Sequence, residues 1–209
     1  MSIVILVVSF AISFCLLMLA VTVHEFAHGW VAYKLGDNTA KYSGRLTLNP
    51  LAHIDLIWTL LLPLSLFIST QGRFVFGAAK PVPVNFWALR NPKRDVIWVG
   101  AAGPAANLIF AFLLSVIVRF LPPSIVTNYI LKLAFINVIL AVFNLIPIPP
   151  LDGSRILMGI LPPRLSEKLA MIEPYGFMII LLLLFAGAFD MIIWPIVRMI
   201  LVLLGFNSY

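Results

Sequence analysis

The sequence predicts an all-α polytopic membrane protein with about five to six apolar helical segments. Of its 209 residues, 62% are apolar and 11% are charged, whereas an average soluble domain is about 45–50% apolar and about 25% charged. Mean hydropathy is +1.08, and apolar runs close to the ~20 residues that cross a bilayer recur along the chain. The net charge of +6 comes from basic residues between these runs, so a nucleic-acid partner is not expected.

The first apolar run covers residues 3–23 and predicts a membrane helix. No basic segment precedes this run and no small-residue cleavage site interrupts it, so a cleaved signal peptide is not expected. Helical character is expected to continue through His28 to Leu35, where Gly36 ends it.

The second apolar run, residues 54–70, is shorter and carries Pro63 in its middle. It either crosses the membrane or enters and returns on the same side, with Pro63 near its apex. Basic residues follow the first run, precede the third run and follow Pro150. Only the re-entrant arrangement puts all of these basic segments on the cytoplasmic side, as the positive-inside rule favours, with the N-terminus outside.

Four further apolar runs predict helices, and each is bounded by proline or by a charged residue. They cover residues 96–121, 125–146, 174–189 and 191–204. A span after Pro174 is therefore expected on each side of Asp190, although the number of true crossings there stays open.

No internal repeat or long linker divides the chain. We therefore expect one integral membrane domain over residues 1–209, with a motif-bearing core at about 3–157 and C-terminal helices at about 174–205. A short extended or β segment is expected near residues 73–84, where apolar residues alternate. This segment could offer an edge to an unwound peptide or form an interfacial loop with a basic lipid contact.

A metal-binding motif lies near the end of the first run, where His24-Glu25-Phe26-Ala27-His28 reads H-E-x-x-H. Residues four apart on a helix lie about 40° apart around its axis, so both imidazoles can share one metal ion. Glu25 lies beside them, where it can act as a base on a water molecule without being a ligand. Ionisable groups inside an apolar helix are costly and usually functional, which favours a metal site over two interfacial histidines.

Asp152 is the strongest candidate for a third ligand, because a hydrolytic zinc site needs three protein ligands and an open position. The single cysteine, Cys15, cannot build a cysteine cluster. Asp152 follows a proline-rich break in an apolar run, and such a break must be sheltered by protein or line a wet cavity. The alternative is a helix N-cap, because Asp before Gly-Ser-Arg is ordinary capping chemistry.

Together these motifs resemble the site-2 protease family of intramembrane zinc metalloproteases, in particular its compact prokaryotic members without a PDZ domain. The motifs appear in the family's order and cover most of residues 20–157. They are His24-Glu25-Phe26-Ala27-His28-Gly29, Asn49-Pro50-Leu51-Ala52-His53-Ile54-Asp55, Gly77-Ala78-Ala79-Lys80-Pro81-Val82, Gly103-Pro104-Ala105-Ala106-Asn107 and Asn144-x-x-Pro147-x-Pro149-x-x-Asp152-Gly153.

The resemblance implies one zinc ion per chain on His24, His28 and Asp152, with Glu25 as general base. It implies a zinc metalloendopeptidase that hydrolyses peptide bonds of transmembrane protein or peptide substrates within or near the lipid bilayer. It also implies a multi-pass protein of a prokaryotic cell membrane, and the charge pattern puts the active site towards the cytoplasmic side. The sequence leaves substrate identity, regulation and oligomeric state open.

Two further polar residues are candidates for binding the transition state or the substrate. His53 either donates to an oxyanion or caps a helix entry as a loop histidine. Asn144 lies about two helical turns before Asp152 and either binds the substrate backbone or holds the proline break. Gly103 and Asn107, in the middle of a predicted span, are expected to serve helix packing.

Two other functions stay open at the level of sequence. The same three ligands could form the transit site of a divalent-metal transporter, although Glu25 has no role in a carrier. A catalytically inactive membrane scaffold is the third interpretation, and the intact H-E-x-x-H motif together with Asp152 argues against it.

Overall fold

The computed structural model describes residues 3–70, 77, 79–187 and 189–206. Within that part of the chain the fold is helical and contains no strand, so the predicted all-α polytopic membrane fold is confirmed. Shorter apolar helices accompany four helices that are long and apolar enough to cross a membrane. These four are Val7–Lys34, Pro92–Val118, Ile125–Asn144 and Pro163–Phe185.

The first helix, α1 (Ile3–Lys34), contains 32 residues and is about 48 Å long at 1.5 Å per residue. It runs without interruption from the first apolar run through the H-E-x-x-H motif, as predicted. Gly36 follows with a φ of +115°, which glycine adopts without the penalty that a Cβ would bring. A four-residue helix, α2 (Thr39–Tyr42), lies in the loop beyond.

The second apolar run forms a π-helical segment (Leu56–Leu61) followed by α3 (Leu62–Ser69). Asp55 starts this segment by accepting hydrogen bonds from the backbone N–H groups of Ile57 and Trp58. The two pieces contain six and eight residues, about 21 Å of helix, which is less than the ~30 Å of a hydrocarbon core. This shortness favours the re-entrant arrangement, which stays a prediction.

The predicted extended segment is only partly described. Residues 73–76 and 78 lie outside the described residues, and residues 79–85 form neither a helix nor a strand. Asn85 has an extended backbone, with φ −97° and ψ 95°, and its side chain starts the short helical turn Phe86–Ala88. The β alternative is therefore not seen in residues 79–85.

Helices α4 (Pro92–Val118) and α5 (Ile125–Asn144) form a hairpin at the centre of the molecule. Helix α4 also packs against α1. The N–H of Arg90 donates to the backbone oxygen of Leu35 at 3.0 Å. The start of α4 therefore lies beside the end of α1.

Four helices follow the proline-rich break after α5. They are α6 (Asp152–Ile160), α7 (Pro163–Ala170), α8 (Gly176–Phe185) and α9 (Trp194–Leu203). The candidate span Pro163–Phe185 consists of α7, the short helical turn Glu173–Tyr175 and α8. A π-helical segment, Phe189–Ile193, precedes α9. The predicted run 191–204 thus forms the end of this π-helical segment together with the ten-residue helix α9, and it is not among the four long spans.

Small and branched side chains from α1, α4, α5 and α9 form the main packing core. Ala20, Ala111, Ala134, Val138 and Val197 in this core are all fully buried. Such small residues let helices approach closely, which stabilises helix packing in a membrane. Helix α8, in contrast, exposes most of its apolar side chains, as expected of a helix that faces lipid.

Candidate metal centre

Helix α1 carries His24 and His28 one turn apart on one face. Both are buried, with 6% and 8% of their surface exposed. Asp152, the first residue of α6, approaches them from a separate helix. Its Oδ2 lies 3.0 Å from Nε2 of His24 and 3.2 Å from Nε2 of His28. The two Nε2 atoms are 3.1 Å apart, so the structure gathers the three predicted ligands in one cluster.

The size of this triangle is suited to one small metal ion. Zinc binds imidazole nitrogen and carboxylate oxygen at about 2.0–2.2 Å in a tetrahedral arrangement, which puts two ligand atoms about 3.3 Å apart. The observed separations of 3.0, 3.1 and 3.2 Å are close to that value. Three ligands also leave a fourth tetrahedral position open, as in catalytic zinc sites.

The outer nitrogen of each imidazole is hydrogen bonded to an oxygen atom. Nδ1 of His24 lies 3.0 Å from Oδ1 of Asn107, and Nδ1 of His28 lies 2.7 Å from the backbone oxygen of Val99. These oxygens only accept, so each Nδ1 carries a proton, and each Nε2 is the nitrogen that can direct a lone pair at a metal ion. Two lone pairs and a carboxylate oxygen this close together repel unless a cation lies between them, so the donor set fits a metal ion.

Two glycines on α4 make room for the site. A Cβ on Gly103 would lie 2.3 Å from Nε2 of His28 and 2.7 Å from Nε2 of His24. A Cβ on Gly100 would lie 3.1 Å from the backbone oxygen of Asp152. The backbone of α4 therefore forms a wall against which the imidazoles and the start of α6 both rest.

The break between α5 and α6 directs Asp152 into the cluster. Leu151 has an extended backbone, with φ −68° and ψ 156°, so the chain turns into α6 at the next residue. A Cβ on Gly153 would lie 2.2 Å from the backbone oxygen of Leu145, which requires glycine at this close return of the chain. Asp152 contacts the histidines and α6 has no side-chain cap, so the capping alternative does not describe this residue.

The carboxyl group of Asp152 is ionised near neutral pH. Burial tends to raise the pKa of a carboxyl group. Where Nε2 of His24 or His28 is protonated, its hydrogen bond to the carboxylate outweighs burial and lowers the pKa of Asp152 from 3.8 to about 2. A carboxylate is the form in which this side chain binds a metal.

A cavity of about 310 Å³ opens onto the cluster, and Glu25 lines it together with the three predicted ligands. Oε2 of Glu25 accepts a hydrogen bond from the N–H of Val82 at 2.7 Å. This bond holds the carboxylate in place through one oxygen and leaves Oε1 for a water molecule or a substrate group. The apolar part of the lining comes mainly from Pro81, Val82, Val84 and Phe86.

The two candidate substrate-binding residues have different places in the structure. Asn144 lines the cavity, and its Nδ2 donates to the backbone oxygen of Leu140 at 2.9 Å. His53 is fully buried and is not among the residues that line the cavity. Its Nε2 lies 3.0 Å from the backbone oxygen of Thr47. The structure thus brings Asn144 to the metal cluster and places His53 in a loop contact.

Sequence reasoning missed three residues of the site. Asn107 and Gly103 were expected to serve helix packing, yet one holds His24 and the other makes room for both imidazoles. Their place in the motif Gly103-Pro104-x-x-Asn107 was the available signal. Arg155 also lines the cavity, lies over the ring of Phe86 at 5.4 Å and forms an ion pair with Glu173.

The chain is similar to several zinc metalloproteases. The family model described as peptidase family M50 matches residues 122–187. A Bacillus subtilis protein provisionally named zinc metalloprotease YwhC is 38% identical over 192 residues, which cover 87% of this chain and 84% of the relative. A Mycolicibacterium smegmatis protein provisionally named zinc metalloprotease Rip2 is 33% identical over 195 residues, which cover 92% of this chain and 73% of the relative. No solved structure matches the chain.

Proposed function

The chain belongs to peptidase family M50, the site-2 protease family of zinc metalloproteases, and on that premise we propose that it is an intramembrane endopeptidase. Its substrates in this proposal are transmembrane segments of proteins or peptides. One zinc ion per chain is bound by His24, His28 and Asp152, and Glu25 is the general base.

One observation carries this proposal more than any other. Three metal-binding side chains and a separate carboxylate, Glu25, share one cavity, and three of these four residues lie on α1. That helix contains a candidate membrane span, Val7–Lys34. Placing ionisable groups within a membrane span costs free energy, and such residues are usually functional. A peptidase uses all four groups, because it needs three ligands and a base.

The residues act in the following order in our proposal. A zinc ion in this site supplies Lewis-acid activation of a water molecule and of the scissile carbonyl group. Glu25 takes a proton from the attacking water through Oε1 and later gives it to the leaving amine nitrogen. Val82 keeps the carboxylate oriented during both transfers through its N–H bond to Oε2.

Substrate binding is proposed to use the rest of the cavity. The apolar residues Val82, Val84 and Phe86 line it at every second position, as expected of an extended chain. They offer an apolar surface to the side chains of a membrane segment. Nδ2 of Asn144 donates one of its two N–H groups to Leu140. Its Oδ1 is then the group that accepts a hydrogen bond from the substrate backbone. The substrate helix unwinds first, because a helix buries its carbonyl groups in its own hydrogen bonds.

Replacing Glu25 with glutamine tests the mechanism. Glutamine keeps the size of the side chain and an oxygen that accepts from Val82, but it cannot take up a proton at pH 7. We expect Glu25→Gln to keep wild-type zinc content and to lose at least about 10²-fold in turnover of a reporter membrane helix. Both quantities are measured on detergent-purified protein.

The matched control is Glu167→Gln on the exposed face of α7, which we expect to leave turnover unchanged. Wild-type turnover in Glu25→Gln contradicts the assignment of the base. Zinc uptake into vesicles by a wild-type protein that cleaves no reporter would instead support the transporter alternative.

A further inference from the structure

Two buried asparagine side chains, Asn107 on α4 beside His24 and Asn137 on α5, each lack one hydrogen-bond partner among the described residues. Asn107 and Asn137 are both fully buried. Nδ2 of Asn107 and Oδ1 of Asn137 have no hydrogen-bond partner among the residues that the structure describes. One atom is a donor and the other is an acceptor, so their unmet needs are complementary. A buried donor or acceptor that has no partner is unfavourable, because it has lost its hydrogen bonds to water.

The remaining bonds of the two amides fix which atom is which. Nδ2 of Asn137 donates to the backbone oxygen of Leu133 at 2.8 Å, so Oδ1 is the free end. Oδ1 of Asn107 faces Nδ1 of His24, so Nδ2 is the free end. A donor connected to a metal ligand thus lacks an acceptor, while a buried acceptor on another helix lacks a donor.

The hairpin geometry places the two amides at the same depth. Asn107 lies 11 residues before Val118, the last residue of α4, and Asn137 lies 12 residues after Ile125, the first residue of α5. At 1.5 Å per residue these positions are about 17 and 18 Å from the turn that joins the helices. The two helices pack against each other, and both side chains point into the packed interior because neither is exposed.

We propose that a buried water molecule joins Nδ2 of Asn107 to Oδ1 of Asn137, which makes Asn137 a positioning residue for the metal centre. The proposal rests on the proposed zinc site. Water that bridges two otherwise unsatisfied buried groups is a normal part of a folded interior. The result is one polar chain that runs from α5 through Asn107 to His24 and so to the metal.

The hydrogen bonds that join Asn137, the water molecule and Asn107 keep the amide of Asn107 in one orientation. Rotation of this amide by 180° presents an N–H group to Nδ1 of His24. That nitrogen then has to accept, and the imidazole proton moves to Nε2. A protonated Nε2 cannot bind a metal. A water molecule that accepts a hydrogen bond from Nδ2 of Asn107 favours the orientation in which Nε2 of His24 can bind zinc.

The substitutions Asn137→Val and Asn137→Thr test the proposal as a matched pair. The two side chains have nearly the same shape, but only threonine keeps an oxygen that can accept from the water and donate to Leu133. We expect Asn137→Val to weaken zinc binding about tenfold or more, in the range found for groups that orient metal ligands. We expect Asn137→Thr to stay within about twofold of wild type on the same grounds. Competition with a zinc chelator measures both affinities in detergent-purified protein.

A second readout reports on His24 itself. The chain has three histidines, so side-chain nitrogen NMR of histidine-labelled, zinc-free protein resolves their protonation. Asn137→Val is expected to lower the fraction of His24 that is protonated on Nδ1, the nitrogen that faces Asn107, which a loss of packing alone would not do. Ser115→Ala is the control, because this buried hydroxyl on α4 bonds only to Phe112 of its own helix, and it should change neither readout.

Two results would overturn the proposal while leaving the proposed function intact. One is wild-type zinc affinity in Asn137→Val, and the other is an equal loss of affinity in the valine and threonine variants. A wild-type protein that binds no zinc would overturn the proposed function and this proposal together.

Discussion

Gly103 faces both histidine rings at a distance that leaves no room for a methyl group. A Cβ there would lie 2.3 Å from Nε2 of His28 and 2.6 Å from Cε1 of His24, far inside van der Waals contact. The small residue therefore has a more specific role than helix packing in general. It lets the imidazoles rest on the backbone of α4, with their Nδ1 atoms against Asn107 and Val99.

Replacing Gly103 with alanine is expected to weaken zinc binding. Helix propensity alone would make the change stabilising by about 1 kcal/mol, but the new Cβ pushes both rings away from their ligand positions. We expect an affinity about 10–100-fold lower, as when groups that orient metal ligands are removed. Chelator competition measures this loss. Ala105→Val adds bulk on the exposed face of the same helix and should keep wild-type affinity, and an unchanged affinity in Gly103→Ala would contradict the close packing.

The ligand set was predictable from the sequence, but the residues that support it were not. Helical geometry is local, so the four-residue spacing already predicted that His24 and His28 face one point. Asp152 followed from the need for a third ligand. Asn107 is 83 residues from its partner His24, and an amide in a membrane helix is equally suited to packing. His53 lies in a motif, yet its loop folds back so that the ring contacts Thr47.

Among the secondary-structure elements, the non-helical chain at residues 79–85 is held in place by side chains from α1 and the loop that follows it. Glu25 accepts from the N–H of Val82, and Asp37 accepts from the N–H of Asn85, each at 2.7 Å. Arg45 donates to the backbone oxygen of Lys80, also at 2.7 Å. These bonds from side chains hold the segment in place without the backbone hydrogen bonds of a sheet. They position the apolar lining of the cavity next to the cluster of His24, His28 and Asp152.

Removing Asp37 is expected to loosen this segment without affecting zinc. Asp37 is fully buried and accepts from Thr39 as well as from Asn85. Alanine leaves these donors unsatisfied, which costs about 1–3 kcal/mol and lowers the apparent Tm by about 2–4 °C per kcal/mol for a chain of this size.

Thermal unfolding in detergent and the KM for a reporter helix test this expectation, because a displaced cavity wall should raise KM. Zinc content should remain that of wild type, since Asp37 touches no ligand. Asp190→Ala, at an exposed position of the π-helical segment Phe189–Ile193, is the control and should change none of the three quantities. A loss of zinc in Asp37→Ala would show that the segment supports the metal rather than the substrate.

The C-terminal elements show what hydropathy cannot predict. Residues 174–189 are apolar throughout, yet α8 ends at Phe185 and Gly187 has a φ of +78°. Residues 191–204 are apolar as well, yet α9 begins only at Trp194, followed by Pro195. Mean hydropathy reports the length of an apolar run, whereas helix ends depend on backbone conformations that glycine and proline allow. The number of segments was therefore predicted better than their lengths.

In the molecule as a whole, α1 and α4 are antiparallel. His24 contacts Asn107, and His28, one turn further along α1, contacts Val99, which lies two turns back along α4. The end of α1 also meets the start of α4 through the bond from Arg90 to Leu35. The chain between the two helices thus leaves and returns at the same end of the bundle. A single membrane crossing by Leu56–Ser69 would be inconsistent with that arrangement.

Labelling of single cysteines tests this topology. Cys15→Ser removes the single native cysteine, and new cysteines then replace Lys41, Arg94, Arg164 and Pro123, all of which are exposed. We expect an impermeant thiol reagent outside intact cells to label position 123 alone. The other three positions should react only after the membrane is opened, because the positive-inside rule keeps these basic segments in the cytoplasm.

Labelling of positions 41 and 94 from opposite sides would contradict the re-entrant arrangement, because Leu56–Ser69 would then have to cross the membrane. Position 164 locates the metal centre, since α6 and α7 follow directly on Asp152. If 41, 94 and 164 react from one side, the ends of α1 and α5 and the start of α4 share that side. The cavity then opens towards it, and substrate segments must reach the zinc site from the cytoplasmic half of the bilayer.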